Sequence, residues 1–304
     1  YSLYQRGEPK EFVWEEKAPV SVARYAYDTE VINGKIYFPG GRNNSEYKIL
    51  ESYNPILGSW ETLSSMSVPR YGVACAVLNN KMYVIGGQNL SSVEIYDPSS
   101  DTWTAGISLP NVVNHGSAIA VDGKIFLIGG SDSSNSRINQ TLCFDPSSNQ
   151  WIEKEPMTTA RNGHKLVYFK SKIWVIGGGN GSSVLANIDS YDPISNSWTA
   201  EASMNTTRHW PSVWVANDRI YAGGGNNGSS YASSIEVYEP TTKQWSNAEN
   251  LPENKYAADA VVLNDKVYVI AGATASGVFS NKVYAADLNA SVAGVYDLYR
   301  KDGN

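Results

Sequence analysis

Short apolar runs alternate with polar turns along the chain, and the same order of runs returns six times. In the second unit, an apolar run at residues 73–77 is followed by a turn and by a run at residues 81–87 that ends in two glycines. The runs are rich in β-branched and aromatic residues and are bounded by Gly, Asn and Asp, which predicts strands and not helices. Pairs such as Asn33-Gly34 separate the first two runs and favour tight hairpins, because they tolerate positive φ.

A fixed spacing sets the length of this repeat. Six tryptophans each lie 27 residues before a glycine that closes the second run: Trp14 and Gly41, Trp60 and Gly87, Trp103 and Gly130, Trp151 and Gly178, Trp198 and Gly225, and Trp245 and Gly272. A third run carries an aromatic residue, and in the first five units the next Trp follows seven residues later. We therefore predict four antiparallel strands per unit, named A to D, with Trp on strand D. A four-stranded unit of about 47 residues has the size of a propeller blade.

The glycine doublet, the aromatic residue of the third run and the Trp together resemble the kelch repeat over essentially the whole chain. Tripeptides of the Tyr-Asp-Pro type at residues 96–98 and 191–193 add to the resemblance. Only the sixth unit departs from it, since Ala271-Gly272 replaces the doublet and no Trp follows Tyr284. The resemblance implies an all-β fold, a six-bladed kelch-type β-propeller with four antiparallel strands per blade.

We expect the N-terminal strand around Trp14 to close the ring. Trp14 lies on a D strand with no A to C strands before it, whereas residues 255–284 supply strands A to C without a clear D strand. Pairing these two segments covers the open edge of the last blade; residues 292–299 are the alternative fourth strand. The chain is then a single domain, 1–304, with blades at about 24–64, 70–107, 113–155, 161–202, 208–249 and 255–288 plus 10–17.

Composition narrows the range of partners. The net charge of −6 argues against nucleic acid, and the absence of any run of 18 apolar residues argues against membrane insertion. Cys75 and Cys143 fall in different blades and are expected to be buried free thiols. Abundant Asn, Ser and Tyr with sparse Lys favour an extracellular or periplasmic location without fixing the compartment. We expect a monomeric propeller within a larger chain, with no cofactor and no metal.

A basic residue lies ten positions after the Trp in five of the six units. These residues are Arg24, Arg70, Arg161, Arg208 and Lys255, with Val113 in the third unit. Two positions before the strand-C aromatic residue the chain has, in order, Glu51, Glu94, Leu142, Asp189, Glu236 and Lys282. A cation therefore accompanies a carboxylate in four blades, and both positions become apolar together in the third blade.

Two interpretations fit these basic residues. Kelch domains of the adaptor type use arginines on this face to bind acidic peptides, so the resemblance implies an anion-binding ring. The joint change in the third blade instead favours structural ion pairs within blades: Arg24 with Glu51, Arg70 with Glu94, Arg161 with Asp189, and Arg208 with Glu236. Strands A and C lie about 10 Å apart across strand B, and we infer that the glycine doublet leaves a path for the arginine between them.

The variable part of each unit predicts the ligand-binding face. All length variation falls between the doublet and the strand-C aromatic residue, in B–C loops that open on one face together with the strand-A starts. The candidate ligand-binding residues are Tyr25, Asn43, Tyr71, Asn89, His115, His164, Asn180, His209, Trp210, Asn227, Tyr231 and Tyr256. Rings and amides suit sugars or polar peptides. Turn formation remains open for the asparagines and packing for the histidines, whereas a three-histidine metal site would require three blades to converge.

Two classes of function remain. The first is a non-catalytic recognition module that binds a protein or carbohydrate ligand on this face. The second, implied by the resemblance, is a carbohydrate-active enzyme of the sialic acid mutarotase type, which requires a positioned acid and base from His115, His164, His209 and Glu46. A kelch-like copper radical oxidase would require a Cys cross-linked to a Tyr, and both cysteines lie within regular strands instead. Fold alone does not separate binding from catalysis.

Overall fold

The computed structural model describes residues 12–25 and 28–289, in which every regular element is a β-strand. Six four-stranded antiparallel sheets form the blades of a β-propeller, and a two-stranded hairpin extends one loop. The innermost strands of the six sheets contact one another in a closed ring around the central channel. None of the described residues forms a helix of the length and apolar character that crossing a membrane requires.

Five blades consist of four consecutive strands in the order A, B, C and D. Blade 1 contains β2 (Glu30–Ile32), β3 (Lys35–Pro39), β4 (Leu50–Asn54) and β5 (Ser59–Leu63). Blade 2 contains β6 (Ala74–Leu78), β7 (Lys81–Ile85), β8 (Val93–Asp97) and β9 (Thr102–Ala105). Blade 3 contains β10 (Ser117–Val121), β11 (Lys124–Ile128), β12 (Thr141–Asp145) and β13 (Gln150–Lys154). Blade 4 contains β14 (Lys165–Phe169), β15 (Lys172–Ile176), β16 (Ile188–Asp192) and β17 (Ser197–Glu201), and blade 5 contains β18 (Ser212–Ala216), β19 (Arg219–Gly223), β20 (Ile235–Glu239) and β21 (Gln244–Ala248).

Blade 6 joins the two ends of the described chain. Its strands are β22 (Asp259–Leu263), β23 (Lys266–Ile270), β26 (Val283–Asp287) and, as the outer strand, β1 (Trp14–Lys17). β1 runs antiparallel to β26, with Trp14 opposite Ala286, so the predicted closure by the strand around Trp14 is confirmed. β24 (Ala273–Ala275) and β25 (Val278–Phe279) form the extra hairpin in the B–C loop of this blade. The alternative strand at 292–299 lies outside the described residues.

Apolar cores lie between neighbouring blades. In one of them Phe126 and Ile128 of blade 3 pack with Ile173 and Tyr191 of blade 4, and Cys143, a free thiol like Cys75, is buried in the same cluster. The strand-D tryptophans reinforce these joints, because the indole Nε1 of five of them donates to a backbone carbonyl of the preceding segment at 2.7–2.9 Å. The buried Nε1 of Trp14 has no such acceptor among the described residues.

Four buried ion pairs link strands A and C within blades. The shortest nitrogen-to-oxygen distances are 2.7 Å for Arg24–Glu51, 3.0 Å for Arg70–Glu94, 2.6 Å for Arg161–Asp189 and 3.1 Å for Arg208–Glu236. The arginine side chains are 0–1% exposed. Each guanidinium also donates to the carbonyl oxygen of the first doublet glycine in its own blade, at 2.7–3.2 Å.

Blades 3 and 6 have other side chains where the remaining blades have these ion pairs. Val113 and Leu142 lie in one apolar cluster, without charge. Lys255 pairs with Glu253, two residues before it, at 2.8 Å and donates to the carbonyl oxygen of Ala271 at 2.9 Å. The carboxylate of blade 6 therefore comes from the segment that enters strand A and not from strand C.

The glycine doublets also bring the backbones of neighbouring blades into contact, in addition to the path for the arginine side chain that we inferred from sequence. We call Arg24, Arg70, Val113, Arg161, Arg208 and Lys255 the ring residues. The second doublet glycine donates its amide to the carbonyl oxygen of the next ring residue, as from Gly130 to Arg161 at 2.8 Å and from Gly272 to Arg24 at 3.0 Å. A Cβ atom on Gly129 would lie 2.7 Å from the Arg161 carbonyl oxygen. At the first doublet position a backbone carbonyl from the next blade therefore occupies the space of a side chain, and blade 6 accommodates Ala271 there at a φ of 56°.

We expect Arg161→Ala to lower the free energy of unfolding by about 3–5 kcal/mol, because it leaves Asp189 buried without its cation. The measurement is chemical denaturation, with Arg219→Ala as the control. Arg219 forms a partly exposed pair with Glu239, so its loss should cost about 0–1 kcal/mol. A wild-type melting temperature for Arg161→Ala would contradict a structural role for this arginine.

Blade 3 predicts how the ion pair of blade 4 can be replaced. The double variant Arg161→Val with Asp189→Leu reproduces Val113 and Leu142 and should be more stable than Arg161→Val alone, since no uncompensated charge remains. A double-mutant cycle in denaturant measures the coupling. Equal stabilities of the single and double variants would show that the buried carboxylate is not the source of the loss.

Candidate functional site

Rings from five blades meet where the strand-A starts surround the mouth of the central channel. Trp210 and Ala257 form a buried cluster, and Tyr25, Tyr71 and Tyr256 pack against this cluster. The His115 ring lies 5.1 Å from the Trp210 ring and 5.7 Å from the Tyr71 ring, between centroids. Tyr231 stacks on Tyr256 at 4.5 Å. We call these six residues, Tyr25, Tyr71, His115, Trp210, Tyr231 and Tyr256, the aromatic platform.

A chain of backbone hydrogen bonds holds the centre of the platform. It runs from the Ala257 amide to Trp210, from Trp210 to Gly163, from Gly163 to His115 and from His115 to Gly72, at 2.7–3.3 Å. All five residues have φ between 50° and 65°. Positive φ is uncommon for residues with bulky side chains and persists where the surrounding structure enforces it. His115 and Trp210 are therefore held in a strained backbone conformation.

Glycines in blades 2 and 4 make room for these two rings. A Cβ atom on Gly72 would lie 2.3 Å from Nδ1 of His115, and one on Gly163 would lie 2.7 Å from Cε2 of Trp210. At this position of the repeat, glycine in blades 2 and 4 thus alternates with His115 in blade 3 and Trp210 in blade 5. The His115 and Trp210 rings lie over the backbones of the neighbouring blades at the channel mouth.

Burial keeps the histidines of this region neutral. It lowers the pKa of His115 to about 4 and that of His209 to about 4, and the nearby charge of Arg137 acts in the same direction. Nε2 of His209 lies 3.2 Å from Oδ1 of Asn162, whose side-chain nitrogen donates to Ser131. This arrangement assigns the proton of His209 to Nε2 and makes Nδ1 the acceptor.

The structure does not bring His164 to the platform. Its side chain is buried, and Nε2 lies 3.1 Å from the carbonyl oxygen of Ile128 in blade 3. Burial lowers the pKa of His164 to about 3. The described residues contain no group of three or more His, Cys, Asp or Glu side chains arranged to hold a metal ion.

The loop asparagines use their side-chain oxygens to shape the B–C loops. Oδ1 of Asn180 accepts the amides of Ser182 and Ser183 at 3.1 and 2.8 Å. Loop or neighbouring-loop groups also occupy the oxygens of the other candidates, Asn43, Asn89 and Asn227. Such side-chain turns are a common role of Asn. Their oxygens are therefore already engaged, whereas Asn89 and Asn180 remain exposed on the face.

Two loop arginines add positive charge beside the platform, and neither was among the candidate ligand-binding residues. The Arg42 guanidinium lies 4.8 Å from the Tyr71 ring centroid, a cation–π contact. Arg137 donates to the carbonyl and side-chain oxygens of Asn135 at 2.5 and 3.0 Å. Ion pairs of described arginines involve residues 24, 70, 161, 208 and 219. The sequence signal that could have identified these two arginines is a basic residue at a position other than that of the ring residues.

A polar cavity of about 460 Å³ adjoins the platform between the loops of blades 3, 4 and 5. Arg137, His209, Ser182, Thr207 and Asn227 are among its lining residues. It therefore offers a guanidinium, hydroxyl groups and the acceptor nitrogen of a neutral imidazole. On the other side of the platform, Gln88 donates a hydrogen bond to Glu46 and connects the loops of blades 1 and 2.

We expect none of the three histidines to titrate between pH 7.5 and pH 5, because burial lowers all three pKa values to about 4 or below. The ring carbon-bound protons report protonation in a proton–carbon NMR titration. A solvent-exposed histidine in a reference peptide should titrate near pH 6.5 in the same series. A midpoint near that value for any of the three would show that its ring is accessible to water.

Comparisons with known proteins place the chain in a family. The model of the KLHDC2/KLHL20/DRC7 Kelch-repeats domain matches residues 26–225 and, in a second alignment, residues 89–272. No curated protein sequence is significantly similar. Among solved structures, one titled "Structure of YjhT" is similar in fold, with a TM-score of 0.76 and 17% sequence identity over 87% of this chain and 95% of that one. The glycine doublets, the six four-stranded blades and the match of the family model together show that the chain belongs to the Kelch-repeat family of β-propellers.

Proposed function

We propose that the propeller is a non-catalytic recognition module whose ligand, a segment of a partner protein, binds on the aromatic platform. Kelch propellers commonly bind proteins. The observation that supports this site is the convergence of half-buried rings from separate blades at one channel mouth. Rings that are fixed by packing offer large contact areas at low entropic cost, which is why aromatic residues dominate binding hot spots.

The surroundings of the platform favour a ligand segment with both apolar and acidic groups. Apolar or proline side chains would pack on Tyr71, Tyr231 and Tyr256. Arg42 and Arg137 would bind a carboxylate, since neither pairs with a described acidic side chain and guanidinium groups bind carboxylates well. The buried ring arginines are excluded from contact with this ligand by their burial and their own ion pairs.

Carbohydrate is the second candidate ligand, and mutarotation is the alternative activity. The neutral histidines support this alternative, because the rings of His115 and His209 both contact the ring of Trp210 and a neutral imidazole can accept or donate a proton. Of the other two candidate acid–base residues, His164 is buried away from the platform, and Glu46 accepts a hydrogen bond from Gln88. An enzyme of this type would therefore have to use His115 and His209.

A displayed peptide library and a glycan array, followed by affinity measurements on the best ligand, test the proposal. We expect peptides to be selected and Tyr231→Ala to weaken binding by about 2 kcal/mol, or roughly thirtyfold. The control is Ile194→Ala, whose side chain is 89% exposed at a C–D turn away from the B–C loops. Equal losses for both variants would place the ligand elsewhere.

A polarimetric mutarotation assay on any bound sugar separates the alternatives. Sugar binding without turnover would contradict the enzyme and would identify a carbohydrate-binding module. Turnover that is lost in His209→Gln would contradict the non-catalytic proposal. Selection of peptides together with a silent glycan array is the result that we expect.

A further inference from the structure

A second cavity, of about 290 Å³, occupies the central channel outside the proposed ligand face. Strand-A residues of blades 1, 3, 4, 5 and 6 form its wall, which combines apolar residues such as Ile119 and Val167 with charged residues such as Lys165. Tyr168 and Val262 also line it and are 41% and 38% exposed. Both lie at the ends of their strands next to the A–B turns. The cavity therefore opens on the face opposite the B–C loops.

An ion-paired lysine lies at the inner end of this cavity. Nζ of Lys165 lies 2.6 Å from Asp28 of blade 1 and 2.8 Å from Asp259 of blade 6, so it bridges the channel. Asp28 also accepts the Cys75 amide at 2.7 Å, and Asp259 accepts the amide and hydroxyl of Thr29 at 2.5 and 2.7 Å. The lysine and the two aspartates are thus engaged with one another and with the backbone.

Glu30, the fourth acidic or basic residue of the wall, takes no part in these contacts. It lines the cavity two positions beyond Asp28, and within the described part of the chain its carboxylate makes no hydrogen bond or ion pair. The corresponding positions of the other five A strands carry apolar side chains: Ala76, Ile119, Val167, Trp214 and Val261. Glu30 is half-buried, and a carboxylate partly removed from water without a partner is unfavourable, so a cation in contact with it would relieve the cost.

We propose that this cavity binds a small organic cation, an alkyl- or arylammonium ion, with its charge against Glu30 and its apolar part against the channel wall. Two features other than the carboxylate support such a ligand. The wall provides apolar surface for a hydrocarbon group, and its exposed end includes Tyr168, an aromatic residue whose ring face can attract a cation. The volume is near the lower limit of ligand pockets, about 300 Å³, so the ligand must be small.

Metal ions fit this cavity poorly. Calcium and magnesium require about six oxygen ligands, whereas the other two carboxylates of the lining, Asp28 and Asp259, are already ion-paired with Lys165. The described residues include no cluster of side chains suited to a metal here or elsewhere. An ammonium ion needs only one carboxylate and aromatic or aliphatic contacts, and these are the groups present.

The charge state of Glu30 couples the proposed ligand to pH. Burial, together with the negative charges of Asp28 and Asp259, raises the pKa of Glu30 well above its usual value, against the opposing effect of Lys165. Burial also raises the pKa of Asp28 to about 7 and that of the Cys75 thiol. The empty cavity therefore favours protonated Glu30, and a bound cation favours the carboxylate. Cation affinity should rise with pH.

Benzylammonium and its neutral analogue benzyl alcohol test the proposal by NMR or calorimetric titration. We expect the cation to bind, benzyl alcohol to bind at least about tenfold more weakly, and Glu30→Gln to remove that preference. Glu46→Gln, on the B–C loop face, is the matched control and should bind like the wild type. Absence of benzylammonium binding at about millimolar concentration, or unchanged cation preference in Glu30→Gln, would overturn the proposal.

Two further measurements keep the test independent of how one variant folds. Tyr168→Arg places a fixed positive charge at the exposed mouth and should weaken cation binding about tenfold or more. Benzyltrimethylammonium carries a permanent charge, so only the protein titrates, and its affinity should be higher at pH 8.5 than at pH 6. Equal affinities at both pH values, or no effect of Tyr168→Arg, would contradict a site at Glu30.

Discussion

The amide of the second doublet glycine makes the hydrogen bond on which each joint between blades depends. It donates to the carbonyl oxygen of the next ring residue, and the contact recurs six times, from Gly41–Arg70 to Gly272–Arg24. The ring residue therefore belongs to two blades at once: its side chain binds its own blade, and its carbonyl binds the preceding one. A change in either part affects both the blade and the ring.

The contacts of the arginine side chains within their own blades explain how the fold tolerates four fully buried guanidinium groups. Burial of a charge is costly unless hydrogen bonds and an opposite charge compensate it. Arg161 meets this condition through Asp189, Gly177 and Asn187, which are groups at the ends of two strands of its own blade. Blade 3 shows that the charge itself is dispensable, because Val113 keeps the carbonyl contact with Gly87 without any ion pair.

The fold and the paired positions could be predicted because six copies of one unit can be compared within a single sequence. The comparison identified which positions change together, but it did not identify backbone contacts, so the hydrogen bonds from the glycine doublets to the next blade were missed. It also missed Glu253, which pairs with Lys255 from a position that no other blade uses.

The candidate site was harder to predict from the sequence, because side chains of consecutive residues point in different directions at a tight backbone turn. His209, His115 and His164 follow their ring positions by one, two and three residues. Only the second position has the positive φ that places its side chain over the preceding blade, so His115 lies on the platform and His164 lies between blades. Likewise, Asn side chains that seemed suited to a ligand are used by the turns that carry them.

Closure by β1 determines when the molecule can complete its fold. Trp14 and Ala286 are partners on adjacent strands, so this pairing must wait until β26 has left the ribosome. Until then β1 has no partner and β26 has an open edge, a state in which strands pair wrongly with other chains. Contacts between such distant residues form slowly. The time at which β1 and β26 pair therefore determines how long the protein can aggregate or bind chaperones during its synthesis.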